Sequence, residues 1–190
     1  MADGRPVVNQ QSRHVGVEPK AGTRMKFVTA LFAVLPALAS AQIDDGQAVP
    51  ITGAANPAIS PDGSRIAFRY RGDVWIVSAG GGTAVRITDH VEMDDMPVWS
   101  PDGKWVAFTS DRFGSPDVFA IPADGGQTRQ ITYFGGGDVA TDWRGDSILI
   151  TSRRDAPFTG IFAVNAKTLS VDKIYESYHG VANARFSPDG

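Results

Sequence analysis

The chain has 190 residues, with 18 Lys and Arg against 21 Asp and Glu, 42% hydrophobic residues, 21 glycines, 12 prolines and no cysteine. The absence of cysteine excludes disulfides, thiolate metal sites and a cysteine nucleophile. From Gln42 onward 13 bases face 19 acids, a net charge near −6, which argues against nucleic acid or an anionic membrane surface as partner.

Residues 1–24 are polar and without pattern, and read as an over-extended start before Met25. Arg24 and Lys26 then precede an apolar run, Phe27–Ala39, which is followed by the small-residue motif Ala39-Ser40-Ala41. This is the layout of a secretory signal peptide over residues 25–41. The run is shorter than the roughly 20 residues needed to cross a bilayer. No membrane span is therefore expected after cleavage, and the protein is expected to be periplasmic or secreted. Residues 42–48 read as a linker.

Beyond the linker the sequence repeats. "SPDG" occurs at Ser60–Gly63, Ser100–Gly103 and Ser187–Gly190. Proline at the second position pre-sets φ, Asp can bond the backbone ahead of it, and Gly accepts a positive φ. Each copy follows a short apolar segment, and the first two precede a β-rich run, Arg65–Phe68 and Lys104–Phe108. Each therefore reads as a hairpin turn. A degraded copy, Asp142–Ile150, fills the gap before the last one. Two other phrases keep the same beat of roughly 40–45 residues. Asp73-Val74-Trp75-Ile76-Val77 returns as Asp117–Ile121 and Gly160–Val164, and Arg86-Ile87-Thr88 returns as Gln130-Ile131-Thr132.

Each period holds four short strands, in the second around Val98–Trp99, Trp105–Phe108, Val118–Ile121 and Arg129–Thr132. Four strands per period mark a β-propeller blade. The fold class expected is all-β: four-stranded antiparallel blades, a little over three of them across residues 49–190. Propellers close with about four to eight blades, so this one is expected to be incomplete and the chain to be the N-terminal part of a longer protein.

Antiparallel order places the SPDG and Gly-rich turns on one rim. The irregular segments Arg69–Gly72, Ser110–Pro116, Ser152–Thr159, His90–Met96 and Tyr133–Thr141 then lie on the other. Binding groups collect on such loops, and Asp111, Arg112, Phe113, Asp138, Arg153 and Arg154 are the substrate-binding candidates, with blade-to-blade salt bridges or a solvated loop as the competing roles. Asp89, Glu92, Asp94 and Asp95 beside His90 read as a solvated loop rather than a cation site. Gly80–Gly82 aligns with a turn glycine pair in the next period and reads as a turn. The recurrent serines belong to turns. No catalytic residue, metal ligand or cofactor is assigned.

The string "SDRFGSPDVFAIPADGG", with "RQITYF" and "DVATDW" after it, resembles the N-terminal propeller of tricorn-like serine proteases. The resemblance covers about Val49 to Gly190 and departs at "TDWRGD", where a full turn is missing. It implies propellers that filter or channel peptides and unfolded polypeptide to downstream domains of the same chain, where a PDZ-like domain and a serine-peptidase core carry the hydrolase chemistry. Two other families with similar repeats stand as alternatives: the non-enzymatic periplasmic binding propeller of the Tol system (TolB-like) and the propeller of prolyl-oligopeptidase-like hydrolases. Cleavage after Ala41 is expected to leave Gln42 as the first residue of the exported protein. Intact-mass measurement checks this, and a product retaining Phe27–Ala39 would overturn it.

Overall fold

A computed structural model describes residues 49–155 and 157–189. Residues 1–48, which the sequence led us to expect as an over-extended start, a signal peptide and a linker, lie outside the described residues.

The twelve strands run in chain order as β1 (Ala55–Ile59), β2 (Arg65–Tyr70), β3 (Asp73–Ser78), β4 (Val85–Arg86), β5 (Asp94–Trp99), β6 (Trp105–Ser110), β7 (Asp117–Pro122), β8 (Arg129–Gln130), β9 (Asp138–Arg144), β10 (Ser147–Ser152), β11 (Gly160–Asn165) and β12 (Val171–Glu176). They form three four-stranded antiparallel meanders, β1–β4, β5–β8 and β9–β12. Among the described residues these are three blades of a propeller that is not closed.

The first two SPDG copies fold into the same turn. The Ser60 carbonyl accepts the Gly63 N–H at 2.8 Å, and the Ser100 carbonyl accepts that of Gly103 at 2.9 Å. Gly63 and Gly103 have φ of +72° and +67°. The Ser60 hydroxyl accepts the Arg65 N–H at 2.9 Å and donates to Asp62 at 2.6 Å. Ser100 does the same with Trp105 and Asp102, at 2.9 and 2.7 Å. Both serines are buried. The hydroxyls of Ser60 and Ser64 and the Ser64 N–H hold the Asp62 carboxyl down to about 2, because each bond favours the ionised form. These serines are turn parts, with their hydroxyls engaged.

The third blade turns differently. Arg144 pairs directly with Ser147, so the link is Gly145-Asp146. Gly145 takes a φ of +53° at the first central position, which glycine fills in tight hairpins. Each inner strand carries a bulge at the same height: between Ala55 and Ala58, between Asp95 and Val98, and opposite Leu149–Ile150. Pro57 and Pro97 occupy the first two bulges, where no ladder N–H is required.

Alternation along blade 2 divides its side chains between two cores. Trp99, Val106, Phe108, Phe119 and Ile121 pack with Ala67, Val74 and Ile76 of blade 1. Val98, Ala107, Val118, Ala120 and Ile131 pack with Ile148, Ile150, Phe162 and Val164 of blade 3. Burying one such side chain contributes about 1.5–3 kcal/mol. Polar ties also cross the blade junctions. Trp99 Nε1 donates to the Ala58 carbonyl at 2.9 Å, and Arg65 Nη2 donates to the Gly103 carbonyl at 2.6 Å with its guanidinium 4.8 Å above the Trp99 ring.

All five irregular segments are shorter than expected, and Ser110 and Ser152 are the last residues of β6 and β10. His90–Met96 and Tyr133–Thr141 do not remain loops to their ends: β5 begins at Asp94 and β9 at Asp138, because ladder pairing with Ser110 and Ser152 extends past the apolar residues. The link from β2 to β3 is Arg71-Gly72 alone.

A β-branched residue cannot hold the φ of Gly103 without strain. Gly103→Val is therefore expected to destabilise the fold by about 1 kcal/mol or more, read as a lowered thermal midpoint. An unchanged midpoint would contradict the turn geometry.

Candidate functional site

The loop rim carries two layers, one buried and ionic, the other exposed and aromatic. In the buried layer, Arg112 Nη2 donates to Asp94 Oδ1 at 2.8 Å and its Nε to the Ser110 hydroxyl at 3.0 Å, and the guanidinium lies 4.5 Å above the Phe119 ring. Asp94 is fully buried, and its N–H donates to the Gly72 carbonyl of the preceding blade at 2.7 Å. Blade 3 repeats the arrangement. Arg154 Nη2 meets Asp138 Oδ2 at 2.5 Å and stacks 4.9 Å from Phe134, while the Asp138 N–H donates to the Pro116 carbonyl at 2.7 Å. Three of the six candidates, Arg112, Asp138 and Arg154, are thus drawn into blade-fixing ion pairs.

Of the other three, Arg153 and Phe113 lie nearer solvent, whereas Asp111 is half-buried, with its Oδ1 buried and without a hydrogen-bond partner among the described residues. The Asp111 carbonyl closes a turn with the Gly114 N–H at 2.7 Å. Arg153 is exposed. Phe113 is 68% exposed, with its ring 6.0 Å from Phe119. The acidic cluster around His90 is dispersed: Asp94 joins Arg112, Asp89 joins Arg86 at 3.2 Å, and Asp95 joins Arg69 at 3.5 Å.

Two of the repeated phrases touch in the folded chain, a contact that their spacing in the sequence does not display. Asp73, at the head of β3, accepts the Thr88 hydroxyl at 3.3 Å, and the Val74 N–H donates to that hydroxyl at 2.9 Å. Asp117 and Thr132 repeat this at 3.1 Å, with the Val118 N–H on Thr132 at 2.9 Å. Their shared period was the signal that could have joined them. The Asp117 carboxylate also accepts the Phe134 N–H at 3.0 Å, which anchors the loop between blades 2 and 3. Burial pushes this carboxyl up, the hydrogen bonds from Thr132 and Phe134 oppose that, and the neighbouring charge of Asp138 adds to the rise.

Among the described residues, two concavities stand out. An axial cleft of about 630 Å³ runs along the inner strands, past Asn56, Met96, Trp99, Thr141 and Trp143. A shallower groove of about 400 Å³ on the loop rim is bounded by Phe113, Ser115, Asp117, Gln130, Tyr133 and Gly135. Neither brings together a nucleophile and a base among the described residues.

Comparison with known proteins agrees with this architecture. A family model described as the tricorn protease N-terminal β-propeller domain matches residues 54–190. Tricorn protease homolog 1 of Streptomyces coelicolor is 40% identical over 86 residues, 45% of this chain and 8% of that protein. An uncharacterized peptidase of Bacillus subtilis, YuxL, is 32% identical over 114 residues, 53% of this chain and 17% of that protein. The chain thus spans a small part of these relatives. Among solved structures, the tricorn protease has a TM-score of 0.56 at 21% identity, over 64% of this chain and 13% of that one. TolB from Acinetobacter baumannii also has 0.56, at 24% identity, over 63% and 31%. These two show a shared fold.

Removing Arg112 would leave Asp94 buried and uncompensated. Arg112→Ala is expected to cost about 3–5 kcal/mol, whereas Arg153→Ala at an exposed position is expected to stay within about 0.5 kcal/mol. Denaturant titration of both variants checks this, and equal costs would mean that the ion pair does not fix the blade.

Proposed function

We propose, starting from the fact that this chain belongs to the family of tricorn protease N-terminal β-propeller domains, that it is the non-catalytic peptide-admitting propeller of a larger exported serine peptidase. Its partners in this reading are peptides or unfolded polypeptide, together with downstream domains of the same chain that carry the hydrolase chemistry.

The observation that carries the reading is the contrast between the two rims. The turn rim is built from short repeated hairpins whose serines are buried and hydrogen-bonded. The loop rim holds irregular loops with exposed apolar side chains, among them Val91, Phe113 and Tyr133. Irregular loops on a rigid scaffold are where binding groups collect. Isolated exposed apolar residues are ordinary, but several on one rim suit extended polypeptide, whose side chains are accessible. A TolB-like binding propeller remains a second reading, supported by the equal structural similarity to TolB.

Two measurements test the proposal. Labelled unstructured peptides are expected to bind the chain without being cleaved. The gene product that continues past Gly190 is expected to hydrolyse them. Binding without hydrolysis by the longer product would favour the TolB-like reading. Cleavage by the 190-residue chain, abolished by Ser100→Ala, would overturn the proposal and the turn assignment together.

A further inference from the structure

Blades 1 and 2 share one carboxylate position but neutralise it differently. In blade 1 the Asp73 carboxylate faces a cation, with Arg86 Nη1 3.4 Å from its Oδ2. Arg86 is itself tied to Asp89 at 3.2 Å. The repeat aligns Arg86-Ile87-Thr88 with Gln130-Ile131-Thr132, and Asp89 with Tyr133. In blade 2 the guanidinium is therefore replaced by a neutral amide. Gln130 Nε2 lies 3.3 Å from Asp117 Oδ2 and also donates to the Thr132 carbonyl at 2.8 Å.

Among the described residues, the donors to Asp117 are all neutral: the Thr132 hydroxyl, the Phe134 N–H and the Gln130 amide. No lysine, arginine or histidine among the described residues forms an ion pair with it. Yet Asp117 is a largely buried carboxylate in a groove, and buried charges are ordinarily paired. Blade 3 places Gly160 at this position, so among the described blades only the second combines the carboxylate with a missing cation.

Aromatic side chains are exposed at the same place. Phe113 and Tyr133 are 68% and 67% exposed and both line the groove of about 400 Å³ that has Asp117 and Gln130 in its wall. Blade 1 has neither: Asp89 stands where Tyr133 does, and its two-residue link Arg71-Gly72 replaces the loop that carries Phe113. Aromatic faces attract cations through their quadrupole, most strongly where a carboxylate stands nearby and water is partly excluded.

We propose that the groove between Phe113 and Tyr133 is a subsite for a cationic side chain, lysine or arginine, of an extended polypeptide, with Asp117 as its counter-charge. The bound cation takes the place that Arg86 fills in blade 1. The proposal rests on the peptide-binding reading above and adds a side-chain preference to it.

The test uses the whole 190-residue chain and fluorescence anisotropy with labelled extended peptides that differ at one position: lysine, arginine, norleucine or acetyl-lysine. Lysine and arginine peptides are expected to bind about tenfold more tightly than the two neutral ones. That advantage should shrink as salt is raised. The decisive variant is Gln130→Arg, which supplies the blade 1 cation from within. It should erase the lysine preference while leaving the thermal midpoint equal to or above that of the parent, which separates occupation of the subsite from unfolding. Tyr133→Ala, at the surface, should reduce the preference without changing the fold.

Equal affinity for charged and neutral peptides would overturn the subsite and leave the peptide reading standing, and so would a preference that survives Gln130→Arg. Failure of all four peptides to bind would overturn both. Displacement of the lysine peptide by free n-butylamine as effective as by the unlabelled peptide would make this a free-amine site and overturn its assignment to polypeptide.

Discussion

A four-stranded sheet that is apolar on both faces cannot be stable alone in water, and the rest of this structure follows from that constraint. Blade 2 satisfies it with two neighbours. Val106 and Phe108 face one core, and Ala107 faces the other, because successive side chains on a strand point to opposite sides. Stacking is what makes the repeat a fold. Outer strands β4 and β8 are two residues long, and short edges offer little backbone for unwanted pairing.

Stacking alone would allow blades to slide, and polar ties at both rims oppose this. On the turn rim, Arg65 reaches the Gly103 carbonyl and Arg129 reaches that of Ala166, each in the following blade. On the loop rim, the Asp94 and Asp138 N–H groups bond the Gly72 and Pro116 carbonyls of the preceding blade. The carboxylates of the same two residues are held by Arg112 and Arg154. A buried pair of this kind is not a large net source of stability, but it penalises any arrangement that leaves one charge unmatched. These pairs fix where each blade's loop leaves the sheet, and thereby the positions of Phe113 and Tyr133.

Division of labour between the rims has a local chemical origin. The SPDG hairpin satisfies its own polar groups: serine bonds aspartate and the returning N–H, and glycine absorbs the positive φ. Little remains for a ligand. Loops such as Asp111–Pro116 and Ile131–Gly137 are closed by fewer internal bonds and leave large side chains in solvent. The exchange of Arg86 for Gln130 between otherwise matching positions replaces a charged group beside the carboxylate with a neutral amide.

Much of this architecture was legible in the sequence, because turn chemistry and strand alternation are local. Ser60, Ser100 and Gly103 specify their turn through neighbours at most five residues away, and the period of Val98–Trp99, Trp105–Phe108 and Val118–Ile121 announces a blade before any long-range contact is known. The candidate site was less legible. Asp94 and Asp138 read as loop acids, and only the folded chain shows them as buried strand residues paired with arginines 18 and 16 positions away. Likewise Asp117 and Gln130 are 13 residues apart, and their relation to Phe113 depends on how the blade closes. Local propensity determined which segments are turns and strands. The tertiary structure decided which charges are spent on holding blades together and which remain uncompensated, because charge pairing depends on distances in space that sequence spacing does not encode.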